Sequence, residues 1–290
     1  MHEHHHHEHE NIKLAFFLNL GFSLFEFIGG IVTNSVAIYS DAIHDLGDSL
    51  AIGISYFLEK ISHKKANKKL TYGYKRYSVL GAFLTSMILI LGSCFVLFHA
   101  VKRIFNPTEV QFTGMLLFSI FGILINGFAA YKTSRSINLN EKSVNLHMLE
   151  DVLGWIAVLI GSLLIKITGW NVIDPILSII ISLIIGVKAI QNVIGVIQVM
   201  VESVPPSIDI ELLEKKIESV NKVVGVHHVH VWSLDGENSF LTMHVLMEKS
   251  VTKEKYGALK LEIKEKLKEE GIMHSTIELE YDLCKEEICG

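Results

Sequence analysis

Two pairs of histidine and aspartate have the same spacing, and each pair lies within an apolar stretch. His44 precedes Asp48 by four residues, and His147 precedes Asp151 by four. Residues four apart share one face of an α-helix, so each pair presents an imidazole beside a carboxylate. Two such helices can converge on one four-coordinate site, and Zn²⁺ accepts nitrogen and oxygen ligands in tetrahedral geometry. The repeated spacing therefore predicts a divalent metal site with four protein ligands.

The alternative is that these side chains only stabilise helix packing through hydrogen bonds or ion pairs. An ionisable side chain at the centre of a bilayer costs at least about 2.5 kcal/mol and typically marks an ion pathway. We expect no lysine or arginine partner on the two helix faces, so internal ion pairing would not neutralise them. A bound cation supplies the missing charge, which favours the metal site.

Three further acidic residues flank the two pairs. Asp41 lies one turn before His44 on the same face, and we expect it near the outer mouth of a pathway. Asp45 lies about 100° round the helix from His44, and we expect it behind the ligands or in a vestibule. Glu150 is expected to point beside the ligand face. For all three residues, a solvent-exposed position without a functional role is an equally good interpretation.

The elements that position these residues follow from the apolar runs, which extend to residue 200. A helix needs about 20 mostly apolar residues to cross the hydrocarbon core. This length predicts six transmembrane helices, at 12–33, 36–58, 78–101, 112–134, 144–168 and 173–198. A soluble helical bundle is the alternative, but the run from Ile176 to Ile190 is interpreted as apolar on all sides rather than striped.

The orientation follows from lysine and arginine. The loops at 59–77 and 132–143 hold ten of these residues, whereas the connections on the opposite side hold three. Basic loops remain in the cytoplasm, which places both termini there. The start of the chain lacks the features of a cleavable signal peptide, so we expect the first span to be retained.

The remaining sequence predicts a small α+β domain. Residues 207–220 and 252–270 have helical patterns, whereas 223–234, 239–248 and 274–282 read as strands. We therefore expect a His-rich cytoplasmic tail at 1–11, a transmembrane domain at 12–200 and a cytoplasmic domain at 201–290. The net charge of −5 does not indicate a nucleic-acid partner, and three cysteines are too few for a disulfide framework.

The charge of the predicted membrane site suggests how transport would be coupled. Two carboxylates and two neutral imidazoles hold Zn²⁺ with no net charge, and the empty site would carry two negative charges. Metal and protons therefore compete for the same ligands. This predicts exchange of metal for protons, with protonation of His44 or His147 as metal leaves.

The chain resembles the cation diffusion facilitator family, in its zinc, cobalt and cadmium efflux branch, from about residue 12 onwards. The resemblance is carried by Thr33 to His44 with Asp48, Thr71 to Arg76, Val79 to Ala82, His147 with Asp151, Asp174-Pro175 and Gly225 to Trp232. It implies six transmembrane helices, a cytoplasmic ferredoxin-like domain, a homodimer, and zinc efflux from the cytoplasm by proton exchange with alternating access. Its central metal site would fall on His44, Asp48, His147 and Asp151.

The chain departs from the family pattern at two positions. Asp45 stands where the family usually has an apolar residue, and Ser78 where it commonly has glutamate. A further metal site that some relatives have in the loop between the second and third spans is not carried over, because that loop offers only His63 and Tyr74. Histidine in both pairs favours zinc, with cadmium or cobalt as alternatives, and disfavours manganese.

The resemblance also implies a regulatory zinc site in the cytoplasmic domain, on His230, His244 and Glu280. Strand alternation places His228 and His230 on one face and His227 on the other. Histidines without a metal role are the alternative. Cys284 and Cys289 would add thiolates or stay idle, and the histidines of the N-terminal tail suggest a metal-gathering segment.

Two other classes of protein fit the sequence less well. An intramembrane metallohydrolase needs an open zinc position and commonly a His-Glu-x-x-His helix, which the sequence lacks, so we do not expect an enzyme. A metal sensor would not need six spans with ionisable faces. The loop between the fourth and fifth spans lacks the long His-rich insertion of many eukaryotic members of the resembled family, so the resemblance implies a bacterial cell membrane.

Overall fold

The computed structural model describes residues 4–133 and 139–282. Within these ranges, the side chains of residues 4–16, 18, 51–52, 55–56, 59, 129, 132–133 and 139–148 are not described. The metal-binding roles suggested for the histidine tail and for Cys284 and Cys289 therefore fall outside the described residues, and so does the side chain of His147.

Six long helices come first: α1 His4–Thr33, α2 Val36–Ser62, α3 Arg76–Phe105, α4 Phe112–Thr133, α5 Leu139–Thr168 and α6 Ile173–Met200. Among the described residues, three stretches are both long and apolar enough to cross a membrane: α3, residues 149–168 of α5, and α6. Residues 19–33 and 112–128 form shorter apolar helical stretches. The acidic helix α2 carries three aspartates in its first half.

The described core of this helical unit is formed by α2, α4, α5 and α6. Ile38, Met115, Trp155 and Val158 are buried there, each at most 1% exposed. The helices α4 and α5 approach closely because Gly122 faces the indole of Trp155, and a Cβ at that glycine would lie 2.2 Å from the ring. This packing fixes the helix α5 against its neighbours.

The C-terminal part consists of α7 Ile210–Glu218, β1 Val223–Ser233, β2 Ser239–Met247, α8 Lys253–Glu269 and β3 Ile272–Glu280. The sheet order is β1-β2-β3, with β1 antiparallel to β2 and β2 parallel to β3. The order of elements agrees with the one expected from the sequence. The last strand begins and ends two residues earlier than predicted.

One face of this sheet packs against the two helices. Ile217 of α7, Ile263 and Leu267 of α8, and Leu241 and Val245 of β2 are completely buried. The opposite face of β2 carries alternate side chains, among them His244. The alternation of β2 therefore places its polar positions on the face away from the helices.

Internal contacts divide the chain into two units, Met1–Leu58 with Gly81–Val193, and Glu59–Leu80 with Ile194–Gly290. The second unit therefore includes the basic loop after α2 as well as the α+β elements. The boundaries predicted at 11/12 and 200/201 stay a prediction.

Candidate metal centre

The acidic helix α2 is held at its first residue by a carboxylate from another helix. Asp174, at the start of α6, accepts hydrogen bonds from Ser35 Oγ at 2.5 Å, Val36 N at 2.6 Å and Ala37 N at 3.1 Å. The first backbone N–H groups of a helix have no partner within it, and an acidic group there also complements the helix dipole. Asp174 is completely buried, so this cap fixes the start of α2 firmly.

One turn of α2 carries the first predicted ligand pair. His44 Nε2 lies 3.5 Å from Asp48 Oδ2, and each side chain is 17% exposed. The two residues therefore meet on one helix face, as the spacing predicts, and both remain accessible from a cavity.

Asp45, the residue after His44, lies closer to this pair than its position about 100° round the helix suggests. Ligand atoms of His44, Asp45 and Asp48 all lie within 4.8 Å of one another. Asp45 is 8% exposed and Asp41 is 7% exposed, so both are buried. A rotation of 100° along the helix still allows a flexible carboxylate to reach a shared ion. The arrangement thus offers one imidazole and two carboxylates from a single helix.

The second predicted pair lies on α5. Asp151 is partly buried, and its charge interacts with those of Asp41 and Asp45 on α2. The acidic faces of α2 and α5 are therefore near each other. His147 belongs to α5, but its side chain lies outside the described residues.

A cavity of about 510 Å³ opens beside His44 and Asp48 of α2. It is lined by His44 and Asp48, by Glu150 of α5 and by Lys188 of α6. The Lys188 ammonium forms an ion pair with the Glu150 carboxylate. Lys188 is not among the site residues predicted from the sequence, and the interpretation of Ile176 to Ile190 as apolar on all sides is wrong at this residue. The sequence signal for a functional residue here was a lysine within a long apolar run.

Glu26 of α1 is a further buried acidic residue near the predicted ligands of α2. It is 1% exposed and lies beside Asp45. On the same helix, Asn19 donates a hydrogen bond of 3.4 Å to the backbone carbonyl of Asp45. The helix α1 thus contacts the back of the acidic turn of α2.

A second cluster of metal-binding side chains lies on the sheet. His244 Nδ1 lies 2.6 Å from Glu280 Oε1, and His227 Nε2 lies 3.4 Å from Glu280 Oε2. Ligand atoms of these three residues lie within 4.8 Å of one another. His230, which the resemblance suggested, instead places its Nε2 at 3.3 Å from that of His228.

A β-bulge explains this arrangement. His227 is paired with His244 and His230 with Thr242, so β1 has one more residue than β2 in this stretch. The extra residue shifts the alternation and puts His227 and His230 on the same face. His228, in the bulge, adopts a φ of 53°. The expectation that His227 lies on the opposite face from His230 is therefore wrong.

The chemistry of this cluster fits a divalent metal. The 2.6 Å contact of His244 Nδ1 with Glu280 lacks hydrogen-bond geometry, and Nδ1 has no other hydrogen-bond partner among the described residues. An imidazole nitrogen and a carboxylate oxygen that lie this close together can both coordinate one metal ion. Partial desolvation, and then the imidazoles of His230 and His244, lower the pKa of His228. The lower pKa favours the neutral ring, which can offer a lone pair.

Comparison with known families matches both parts of the chain. Residues 12–201 match the family described as the cation efflux transmembrane domain. Residues 205–281 match the family described as the cation efflux protein, cytoplasmic domain.

Curated relatives match along nearly the whole chain. A Bacillus subtilis protein named cadmium, cobalt and zinc/H⁺-K⁺ antiporter is 32% identical, covering 96% of this chain and 91% of the relative. The zinc transporter ZitB of Pectobacterium atrosepticum is 33% identical, covering 100% and 92%. The metal cation efflux system protein CzcD of Cupriavidus metallidurans is 30% identical, covering 98% and 90%. With both of its parts matched, the chain belongs to the cation efflux family and is an integral membrane transport protein.

Proposed function

We propose that this protein exports zinc from the cytoplasm in exchange for protons, with cadmium and cobalt as alternative substrates. The observation that carries the proposal is the cavity of about 510 Å³ that His44 and Asp48 share with Glu150 of α5. It lies in the part of the chain that belongs to the cation efflux transmembrane family. The names of the relatives, which specify zinc, cadmium and cobalt, support this choice of substrate.

The transport site would consist of His44 and Asp48 from α2 with His147 and Asp151 from α5. Imidazole and carboxylate ligands suit zinc, and two carboxylates balance its charge. The electrostatic interaction of Asp151 with the acidic turn of α2 supports convergence of the two helices. Asp45 would be a further ligand or would hold the site's charge when the ion moves.

Proton exchange follows from the ligand chemistry. Imidazole binds metal only when it is neutral, and carboxylates only when they are ionised, so loading of zinc releases protons and its departure allows them to return. In alternating access the cavity would be open to one side at a time. The antiporter name of the Bacillus subtilis relative supports a proton counter-ion.

The membrane arrangement completes the proposal. We infer that all six helices α1–α6 cross a bacterial cell membrane with both termini in the cytoplasm, in contact with lipid. Apolar stretches in five of the six and the basic loop 59–77 support this arrangement. The C-terminal part would be a ferredoxin-like cytoplasmic domain that forms a homodimer, because it belongs to the cytoplasmic domain family of efflux proteins.

A regulatory zinc ion is proposed for the cytoplasmic cluster. His227, His244 and Glu280 would hold it, with His228 and His230 near enough to complete the coordination sphere. Binding would join β1 and β2 to β3 and stabilise the domain by mass action.

The test is zinc flux in proteoliposomes, read with a zinc-sensitive and a pH-sensitive dye in the same vesicles. Wild-type protein is expected to move zinc and protons in opposite directions. Asp48→Ala and His147→Ala are expected to reduce zinc flux at least tenfold, since each removes a ligand. Asp282→Ala serves as the control, because its side chain is 80% exposed on the cytoplasmic domain. Zinc flux without opposite proton movement would refute exchange.

Two rival functions give different results in the same assay. A metal sensor would bind zinc but never move it. An intramembrane hydrolase would also move no zinc, and its substrate turnover would depend on the metal. Absence of zinc flux by the wild-type protein would refute the transport proposal.

A further inference from the structure

The transport cavity contains a basic residue that the metal-site chemistry does not explain. Among the described residues that line it, Lys188 is the single lysine or arginine. It lies on α6, about 22 Å along the helix from Ile173 at 1.5 Å per residue. Its ammonium pairs with Glu150, the residue that immediately precedes the predicted ligand Asp151.

A lysine at this position is unfavourable unless it has a role. Its helix is long and apolar, with a mean hydropathy of 2.1 in its best window. Insertion scales give a cost of about 2.5–3.5 kcal/mol for a lysine near the centre of a transmembrane helix. A pair that is about half exposed contributes little to folding stability, and these side chains are 51% and 55% exposed. Stability alone is therefore a weak reason for the pair.

The position of the pair suggests an electrostatic role. A cation that enters the cavity to reach His44 and Asp48 passes the Glu150 carboxylate. The Lys188 ammonium, which is part of the protein, already neutralises the charge of that carboxylate. Because the ammonium cannot leave the protein, it remains in the cavity after the metal ion departs. It can then compensate part of the negative charge of the empty site.

We propose that Lys188 is a tethered cation that competes with the transported ion for the negative charge of the cavity and thereby sets the metal affinity of the site. The inference rests on the transport function proposed above. A dication interacts with each fixed charge twice as strongly as a monovalent ion does. Lys188 therefore weakens zinc binding, and Glu150 offsets that effect.

This role predicts opposite effects for the two partners. Lys188→Gln leaves the Glu150 charge uncompensated, so the apparent zinc affinity should rise. Glu150→Gln leaves the ammonium unpaired beside the ligands, so the affinity should fall. Each shift should be at least about threefold, and the double variant should return close to wild type. A purely structural ion pair would instead make both single variants worse in the same direction.

The experiment measures zinc affinity in two ways on the full-length protein. The first is the zinc concentration that gives half-maximal initial flux in proteoliposomes. The second is calorimetric zinc binding in detergent, from which binding by the Asp48→Ala counterpart of each variant is subtracted to isolate the membrane site. Lys188→Arg keeps the charge and should stay within about twofold of wild type. Lys166→Gln is the matched control, because Lys166 contacts the Phe112 ring and is not among the residues that line the cavity.

The outcomes separate this inference from the proposed function. Opposite shifts in the two single variants, with the double variant restored, would support it. Shifts in the same direction, or none in a protein that transports zinc, would overturn it and leave the transport function standing. Opposite shifts in binding without any wild-type flux would refute transport while supporting the tethered cation. Lys188→Arg and the melting temperature of each variant exclude misfolding as the cause.

Discussion

The carboxylate of Asp174, in the first turn of α6, lies 2.6 Å from the backbone nitrogen of Val36, the first residue of α2. One helix thus caps the start of α2 and also contributes Lys188 to the cavity that His44 and Asp48 line.

Removal of the cap should loosen α2. Asp174→Ala deletes an acceptor for Ser35, Val36 and Ala37, and hydrogen bonds to a charged group contribute about 1.5–3 kcal/mol each. We expect a loss of at least about 3 kcal/mol in stability, measured as a lower melting temperature in detergent, together with reduced zinc flux. Asp174→Asn keeps one acceptor oxygen and should lie between wild type and Asp174→Ala. An unchanged melting temperature for Asp174→Ala would show that the cap is dispensable.

The role of Asp45 can be separated from that of the predicted ligands. Asp45→Asn keeps an oxygen donor but removes the charge beside His44 and Asp48. We expect the zinc concentration for half-maximal flux to rise by about three- to tenfold, because one unit of negative charge near the dication is lost. Asp48→Asn, the matched change at a predicted ligand, should nearly abolish flux. Equal affinities of Asp45→Asn and wild type would place Asp45 outside the coordination sphere.

The cytoplasmic cluster allows a direct comparison of two residues. His227→Ala removes a side chain whose ligand atom lies within 4.8 Å of those of His244 and Glu280. His230→Ala removes a neighbour of His228 instead. We expect His227→Ala to weaken zinc binding by about tenfold or more, and His230→Ala to weaken it less.

The measurement is calorimetric titration of the full-length protein, with the Asp48→Ala substitution in every sample to remove the membrane site. His244→Ala provides the reference for complete loss of the cluster. A larger effect of His230→Ala than of His227→Ala would instead favour the ligand set implied by the family resemblance.

The turn between β1 and β2 should show a defined pH dependence. Asp235 Oδ1 accepts hydrogen bonds from the backbone of Glu237 at 3.0 Å and Asn238 at 2.8 Å, and Oδ2 lies 3.3 Å from Lys75 Nζ. Although burial favours the protonated form, the hydrogen bonds from Asn238 and Glu237 and that from Lys75 outweigh it and lower the pKa of Asp235.

A lowered native pKa means that the ionised carboxylate stabilises the folded state. This contribution is fully present above the unfolded pKa of about 3.9 and is lost as the pH falls through the lower native pKa. We expect Asp235→Ala to cost about 2 kcal/mol at neutral pH, with a smaller difference from wild type below about pH 4. Thermal unfolding across this range is the measurement. Asp282→Ala, at an ion pair whose side chains are 78% and 80% exposed, should show neither effect.

The meeting of His44 with Asp48 was predictable because it depends on spacing along a single helix. His44 and Asp48 meet on one face of α2, as any residues four apart on a helix do. The order of α7, β1, β2, α8 and β3 followed in the same way from local periodicity and turn residues. The family resemblance rested on these same local patterns.

What only the tertiary structure decided concerns partners that come from different elements. The pairing of Lys188 with Glu150 depends on the rotation and translation of α6 against α5, which no rule of spacing within one helix contains. The placement of His227 and His230 on one face of the sheet depends on one extra residue in β1 opposite β2, and a bulge reverses the strand alternation without any clear sequence signal. Local spacing determined which side chains are presented together, and packing between elements determined which of them meet.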